Sequence, residues 1–173
     1  MNAARRAAPL FRQGARGAPT AWLFAAVAVL AFAAVASALV SQYVYGMDPC
    51  PWCVLERLIF VTIGLFALLG LVWRHAAGSR IAGTFALLLA VAGFAAAMWQ
   101  HFVAAKSASC NLTLADRIMT TTQLDRLLPS VFEARASCAD AAVTLFGVPY
   151  DFLAAAVFAV CAIAAIRALR LAA

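Results

Sequence analysis

Apolar residues gather into four long stretches, separated by short polar breaks and one long mixed segment. The first stretch, residues 21–43, lies inside a run from Gly17 to Met47 that carries no charge. The second, 54–73, is interrupted near its start by Glu56 and Arg57. The third is 81–102, and the fourth is 149–166 with Asp151 in its first turn. A helix needs about 20 residues to cross the hydrocarbon core, so each stretch can span, the fourth with least to spare. Helix is the expected form, because backbone groups in lipid must find partners within their own segment. The pattern predicts an all-α integral membrane protein, a four-transmembrane-helix bundle forming one domain over 1–173. Around the spans it leaves an arm (1–20), a short loop (44–53), a hinge (74–80), a long loop (103–148) and a tail (167–173).

Composition agrees. Of 173 residues, 66% are hydrophobic and 12% charged, too apolar for a water-soluble globule. The net charge of +6 is unevenly placed. Arm, hinge and tail carry Arg5, Arg6, Arg12, Arg16, Arg74, Arg80, Arg167 and Arg170, and no acid. The other side, the two loops with the adjoining span ends, carries seven acids against Arg57, Lys106, Arg117, Arg126 and Arg135. The excess of arginine on one side puts both termini in the cytoplasm and the loops outside. Trp22 and Trp73 at one interface, and Tyr43, Tyr45, Trp99 and Tyr150 at the other, are placed as aromatic anchors. No basic face suited to nucleic acid is left over. Ala36-Ser37-Ala38 resembles a signal-peptidase site, but the apolar run before it exceeds the roughly 7–15 residues of a signal peptide, so the first span is expected to be retained.

This topology places four of the five cysteines on the outer side: Cys50 and Cys53 in the short loop, Cys110 and Cys138 in the long one. Thiols there meet an oxidising compartment. Four cysteines allow three pairings. Two intervening residues let the Cys50 and Cys53 sulfurs meet in a strained, reducible ring, which leaves Cys110 with Cys138. That second pair closes about 29 residues, worth roughly 3–4 kcal/mol if its role is structural. The Ser and Thr runs around it read instead as exposed and open to thiolate attack. A four-cysteine zinc site is the weaker alternative, because only one of the two close-spaced knuckles such a site draws on is present, so no metal is expected. Cys161, alone in the fourth span, reads as a small hydrophobe.

Glu56 and Arg57 stand in the first turn of a spanning helix, where ionisable groups are costly and functional. Snorkelling to the interface, as a pair, is the plain alternative. Arg57 follows Cys53 by four residues, so on a helix it lies one turn below the sulfur on the same face. There it can favour thiolate and hold the carbonyl oxygen of a lipid-phase quinone. In the long loop, Leu124, Leu127, Leu128, Val131 and Phe132 repeat at helical spacing, which predicts a short amphipathic helix at the membrane surface, broken or restarted at Pro129.

The run Pro49-Cys50-Pro51-Trp52-Cys53-Val54-Leu55-Glu56-Arg57, the later pair Cys110 and Cys138, the run 128–134 and Phe146-Gly147-Val148-Pro149 together resemble the bacterial disulfide-bond formation protein DsbB family along essentially the whole chain. The resemblance implies an inner-membrane enzyme that reoxidises a periplasmic, DsbA-like dithiol oxidase and passes two electrons to the membrane quinone pool, ubiquinone or menaquinone. It implies that Cys50 and Cys53 form the quinone-proximal pair, with Cys53 as the thiolate facing quinone. Cys110 and Cys138 would form the partner-proximal pair, with Cys110 taking the mixed disulfide. Arg57, with Glu56, would contact quinone, and His101 falls near the family's quinone-pocket histidine. Two other readings remain: a membrane scaffold with two structural disulfides, and an enzyme of the vitamin-K-epoxide-reductase type, in which the order of the two cysteine pairs is reversed.

Overall fold

The computed structural model describes residues 8–73, 75–106, 113–145 and 147–172. Cys110 lies outside them. Four helices are long and apolar enough to cross a membrane: α1 (Ala8–Tyr45), α2 (Pro51–Val72), α3 (Ala76–Phe102) and α7 (Tyr150–Ala172). They form a closed ring in which α1 packs on α2, α2 on α3, α3 on α7 and α7 back on α1. The outward faces carry Val29, Val40, Leu65, Leu88, Val91 and Ile163 exposed. An apolar surface of this extent suits lipid rather than water.

The ring is tight because its interfaces are built of small residues. On α3, Ala82, Ala86, Ala90, Gly93 and Ala97 recur one turn apart and are buried. Without a hydrophobic drive between helices in lipid, such close backbone approach supplies the packing energy. Gly93 has a specific reason: a Cβ there would collide with the ring of Phe158, which is fully buried and stacked on Phe60 at 3.8 Å between centroids.

Several boundaries differ from those the charge pattern predicts. α2 begins at Pro51 rather than 54, because proline suits the first helical position and Cys50 caps it. Cys53 therefore stands in the helix, not in the loop. α3 begins at Ala76 rather than 81: His75 accepts from the Gly78 N–H through Nδ1 at 2.9 Å and sets the start, while the polar residues after it continue the helix. α7 continues past 166 to Ala172, taking in Arg167 and Arg170.

The long loop is not one amphipathic helix. It divides into α4 (Leu114–Thr122), α5 (Leu124–Leu127) and α6 (Pro129–Phe132). A Thr113–Asp116 capping box starts α4, Gln123 at φ 55° ends it, and Pro129 restarts the chain as α6. Met119 and Phe132 pack on Val54 of α2, with Leu124 and Val131 against them, while Leu127 and Leu128 face outward. A small antiparallel ribbon, β1 (Thr144–Leu145) and β2 (Val148–Pro149), follows, turning through Gly147 at φ 81°. This strand pair, too short to show as a periodic pattern, is an addition to the helices among the described residues.

Candidate active site

The C-x-x-C run straddles a helix start. Cys50 is the N-cap of α2 and its Sγ accepts from the Cys53 N–H at 3.3 Å. One turn of helix then carries the Cys53 sulfur back to 2.7 Å from the Cys50 sulfur. The third cysteine is brought to the same place by main-chain bonds between the loops. The N–H groups of Arg135 and Ala136 both donate to Pro49 O, at 2.9 and 3.2 Å. A tight turn follows, in which Ser137 Oγ donates to Asp140 Oδ2 and accepts from the Asp140 N–H. Cys138 packs in one cluster with Cys50, Cys53, Trp52 and Ala115.

The three sulfurs are not equivalent. Cys50 is fully buried, and hydrogen bonding to Cys138 and then Cys53, with burial adding, pushes its thiol well above the ordinary value. Cys138 is held below the ordinary thiol value, first by the bond from Cys50; the Trp52 N–H at the start of α2 adds to this, against the effect of burial. Cys50 thus keeps its proton, and Cys138 is the loop sulfur that gives one up. A thiolate beside the sulfur it would attack is the arrangement that disulfide exchange requires.

Arg57 and Glu56 lie one turn deeper. They are 5% and 6% exposed, so neither snorkels to the surface, and no ion pair joins them. The Arg57 guanidinium donates to Gln42 Oε1 at 2.7 Å and Ala38 O at 3.3 Å on α1, and to Val131 O at 3.0 Å on α6. It ties the long loop to the bundle. Its Nε remains buried without a partner, as does Glu56 Oε1.

Cys53, Glu56 and Arg57 line a cavity of about 400 Å³ between α1, α2 and α7, walled mainly by apolar residues such as Ala34, Phe60 and Leu153. Ligand sites are of this size and character. Gln100, rather than His101, also lines the cavity, beside Cys53. Successive helical residues point about 100° apart, so with Gln100 turned toward Cys53, His101 turns to α7. There His101 meets Asp151 Oδ2 at 3.2 Å and packs on Phe152.

Sequence reasoning did not single out Gln42 or Gln100, and noted Asp151 without a partner. The available signal was the rule already applied to Glu56 and Arg57: polar side chains inside spanning helices serve a purpose. Cys161 is buried in the apolar core, apart from the other described cysteines.

Comparison with known proteins gives a consistent result. The family model for Disulfide bond formation protein DsbB matches residues 20–168. Proteins named Disulfide bond formation protein B are similar to the chain. That of Burkholderia pseudomallei is 31% identical over 127 residues, covering 73% of this chain and 75% of that protein. That of Ralstonia nicotianae is 36% identical over 124 residues, covering 66% and 72%. That of Cupriavidus metallidurans is 30% identical over 116 residues, covering 66% and 71%. No solved structure gives a significant match.

Proposed function

This chain belongs to the disulfide bond formation protein DsbB family, with the oxidoreductase role in disulfide formation that the family name carries, and from that premise we propose that it is a thiol:quinone oxidoreductase of the bacterial inner membrane. It takes two electrons from a DsbA-like periplasmic dithiol protein and delivers them to ubiquinone or menaquinone. The observation that carries this reading is that Cys53 and the buried Arg57, whose Nε has no partner, both line one apolar cavity among membrane-spanning helices.

The residues present fit a quinone. A buried donor or acceptor without a partner costs about 1–3 kcal/mol, and two residues that line this cavity carry one of each, at Arg57 Nε and Glu56 Oε1. Arg57 would hold a carbonyl oxygen, while Phe60, Ala34 and Leu153 exclude water around the ring. When bound, the quinone accepts the two electrons and two protons that a dithiol gives up in becoming a disulfide.

The chain's own steps are exchanges. A thiolate of the partner attacks Cys110 and breaks the Cys110–Cys138 bond, leaving a mixed disulfide and a Cys138 thiolate. The lowered Cys138 value and its place beside Cys50 favour the next attack, on Cys50. That forms Cys50–Cys138, breaks Cys50–Cys53 and leaves the electron pair on Cys53, facing the cavity. The second thiol of the partner then resolves the mixed disulfide and releases Cys110. Attack by Cys110 on Cys138 restores the loop pair and leaves Cys50 and Cys53 to be oxidised together. The loops stand in the periplasm and both termini in the cytoplasm, the orientation that the arginine distribution supports.

The test is anaerobic mixing of purified protein with a reduced DsbA-like protein and a soluble short-chain quinone, followed by quinone absorbance. Stoichiometric quinone loss is expected, abolished by Cys50→Ser or Cys53→Ser in protein that still inserts. Normal turnover in either variant would sink the proposal and leave two structural disulfides in a scaffold.

A further inference from the structure

The cavity wall beside Cys53 carries a polar chain that the exchange steps leave unused. Gln100 on α3 is buried, and its amide nitrogen has two partners: Nε2 lies 3.3 Å from Cys53 Sγ and 2.6 Å from Asp151 Oδ1. Asp151, in the first turn of α7, is itself buried, and its second oxygen meets His101 Nδ1. His101 is 26% exposed at the rim, so the chain runs from the sulfur to the outer edge of the bundle.

Chemistry fixes which way the amide faces. A carboxylate only accepts, so the atom of Gln100 beside Asp151 must be the NH₂ group. The same NH₂ then presents its other hydrogen to the sulfur. A free amide could turn its oxygen to Cys53, which would favour the protonated thiol. An N–H held on the sulfur favours the thiolate. The carboxylate is in turn held by His101, whose ring is packed against Phe102 and Phe152.

We propose that Gln100 stabilises the Cys53 thiolate through its Nε2–H, and that Asp151, clamped by His101, is the positioning residue that orients that bond. The proposal rests on the reading of Cys53 as the sulfur that hands electrons on. It assigns Asp151 a role opposite to its charge. The titratable groups around Cys53 and the adjoining Glu56, Arg57 and Gln100 are Cys50, capping the same helix, Cys138 from the long loop, Asp151 and Tyr150 from α7, Tyr43 from α1 and His101 from α3. Among them a second carboxylate can only oppose a thiolate electrostatically, so any benefit from Asp151 must come through Gln100.

That opposition gives the test. The pH profile of Cys53 alkylation by iodoacetamide is measured on the full, reduced protein in nanodiscs, by mass spectrometry of the Cys53 peptide. Gln100→Leu is expected to raise the midpoint by roughly one pH unit, the scale of one hydrogen bond to a charged group. Asp151→Asn and Asp151→Leu remove the same charge, but only Asn keeps an acceptor for the amide. With Gln100 present, Leu should therefore sit at a higher midpoint than Asn. In a Gln100→Leu background the two should coincide. An unmoved midpoint in Gln100→Leu overturns the proposal, as does coincidence of the two Asp151 variants while Gln100 is present. Gln100→Leu decides the matter even if Asp151→Leu does not accumulate. The titration is read on the thiol itself, so it is separate from turnover: normal quinone reduction by Cys53→Ser defeats the proposed function, and an unmoved midpoint defeats this inference.

Discussion

Replacing Arg57 with lysine keeps the positive charge at the cavity and removes the planar fork. The guanidinium satisfies three acceptors at once, Gln42 Oε1, Val131 O and Ala38 O, and still keeps Nε free. An ammonium is a compact point donor and cannot serve acceptors spread over α1 and α6 together with a ligand carbonyl. On the proposed function, the group left without its bond is the quinone oxygen, since the protein acceptors are fixed in place. One hydrogen bond to a charged donor is worth about 1.5–3 kcal/mol. At about 1.4 kcal/mol per factor of ten, kcat/KM for quinone should fall roughly 10- to 150-fold. If the bond is equally strong before and during electron transfer, the loss appears in KM and leaves kcat alone. The KM for the reduced dithiol partner should not change, because that protein meets the other cysteine pair. The assay is anaerobic steady-state quinone reduction at varied quinone and fixed partner, then the reverse. An Arg57→Lys enzyme with wild-type quinone KM and kcat/KM would remove Arg57 from the site.

Three further outcomes follow from the geometry. In reduced protein, Cys138 should alkylate faster than Cys50 near neutral pH, since its value lies below the ordinary 9.0 and that of Cys50 lies above it; thiolate is lost only as pH falls through the depressed value, so Cys50→Ala, which removes the donor, should slow Cys138 near neutrality and leave it unchanged well above the ordinary value. An unaltered Cys138 profile in Cys50→Ala would contradict the assigned hydrogen bond. Gly93→Ala should destabilise the bundle by about 1–3 kcal/mol through collision with Phe158, seen as a lower Tm in detergent, and Phe158→Leu should recover part of the loss in the double variant. Thr113→Ala should cost about 1 kcal/mol locally by opening the α4 capping box, seen as faster hydrogen exchange across residues 114–118 with quinone turnover intact.

The four spans and the junction of Cys50 and Cys53 with the second of them were legible because lipid leaves so few backbone solutions. Arg57 was legible because a charge one turn below a cysteine is costly without a purpose. What the sequence concealed was lateral. Gln42 reaches Arg57 and Gln100 reaches Cys53 from two other helices, Asp151 holds Gln100 from a third, and which residues meet depends on helix rotation, which apolar periodicity in an alanine-rich span barely specifies. The neighbours Gln100 and His101 illustrate this: a rotation of one residue decides which of them faces the cavity, and the structure turns Gln100 inward. The loop misled for another reason. Its apolar spacing reads as one surface helix restarted at Pro129; that restart is present, but Gln123 adds a second break, and of the five apolar side chains Phe132 is buried on α2 with Leu124 and Val131 beside it while Leu127 and Leu128 face outward.

The twin bonds to the carbonyl of Pro49 determine what may vary around the third sulfur. Both donors are peptide groups of residues 135 and 136, so the tether does not read side chains there. Evolutionary drift at those two positions should be almost free, short of proline, which would delete a donor. A single inserted residue between them and Cys138 is a different matter, because it would swing the thiol away from Cys50 while leaving the rest of the loop attached. Homologous chains should therefore keep the count of residues there more faithfully than their identities.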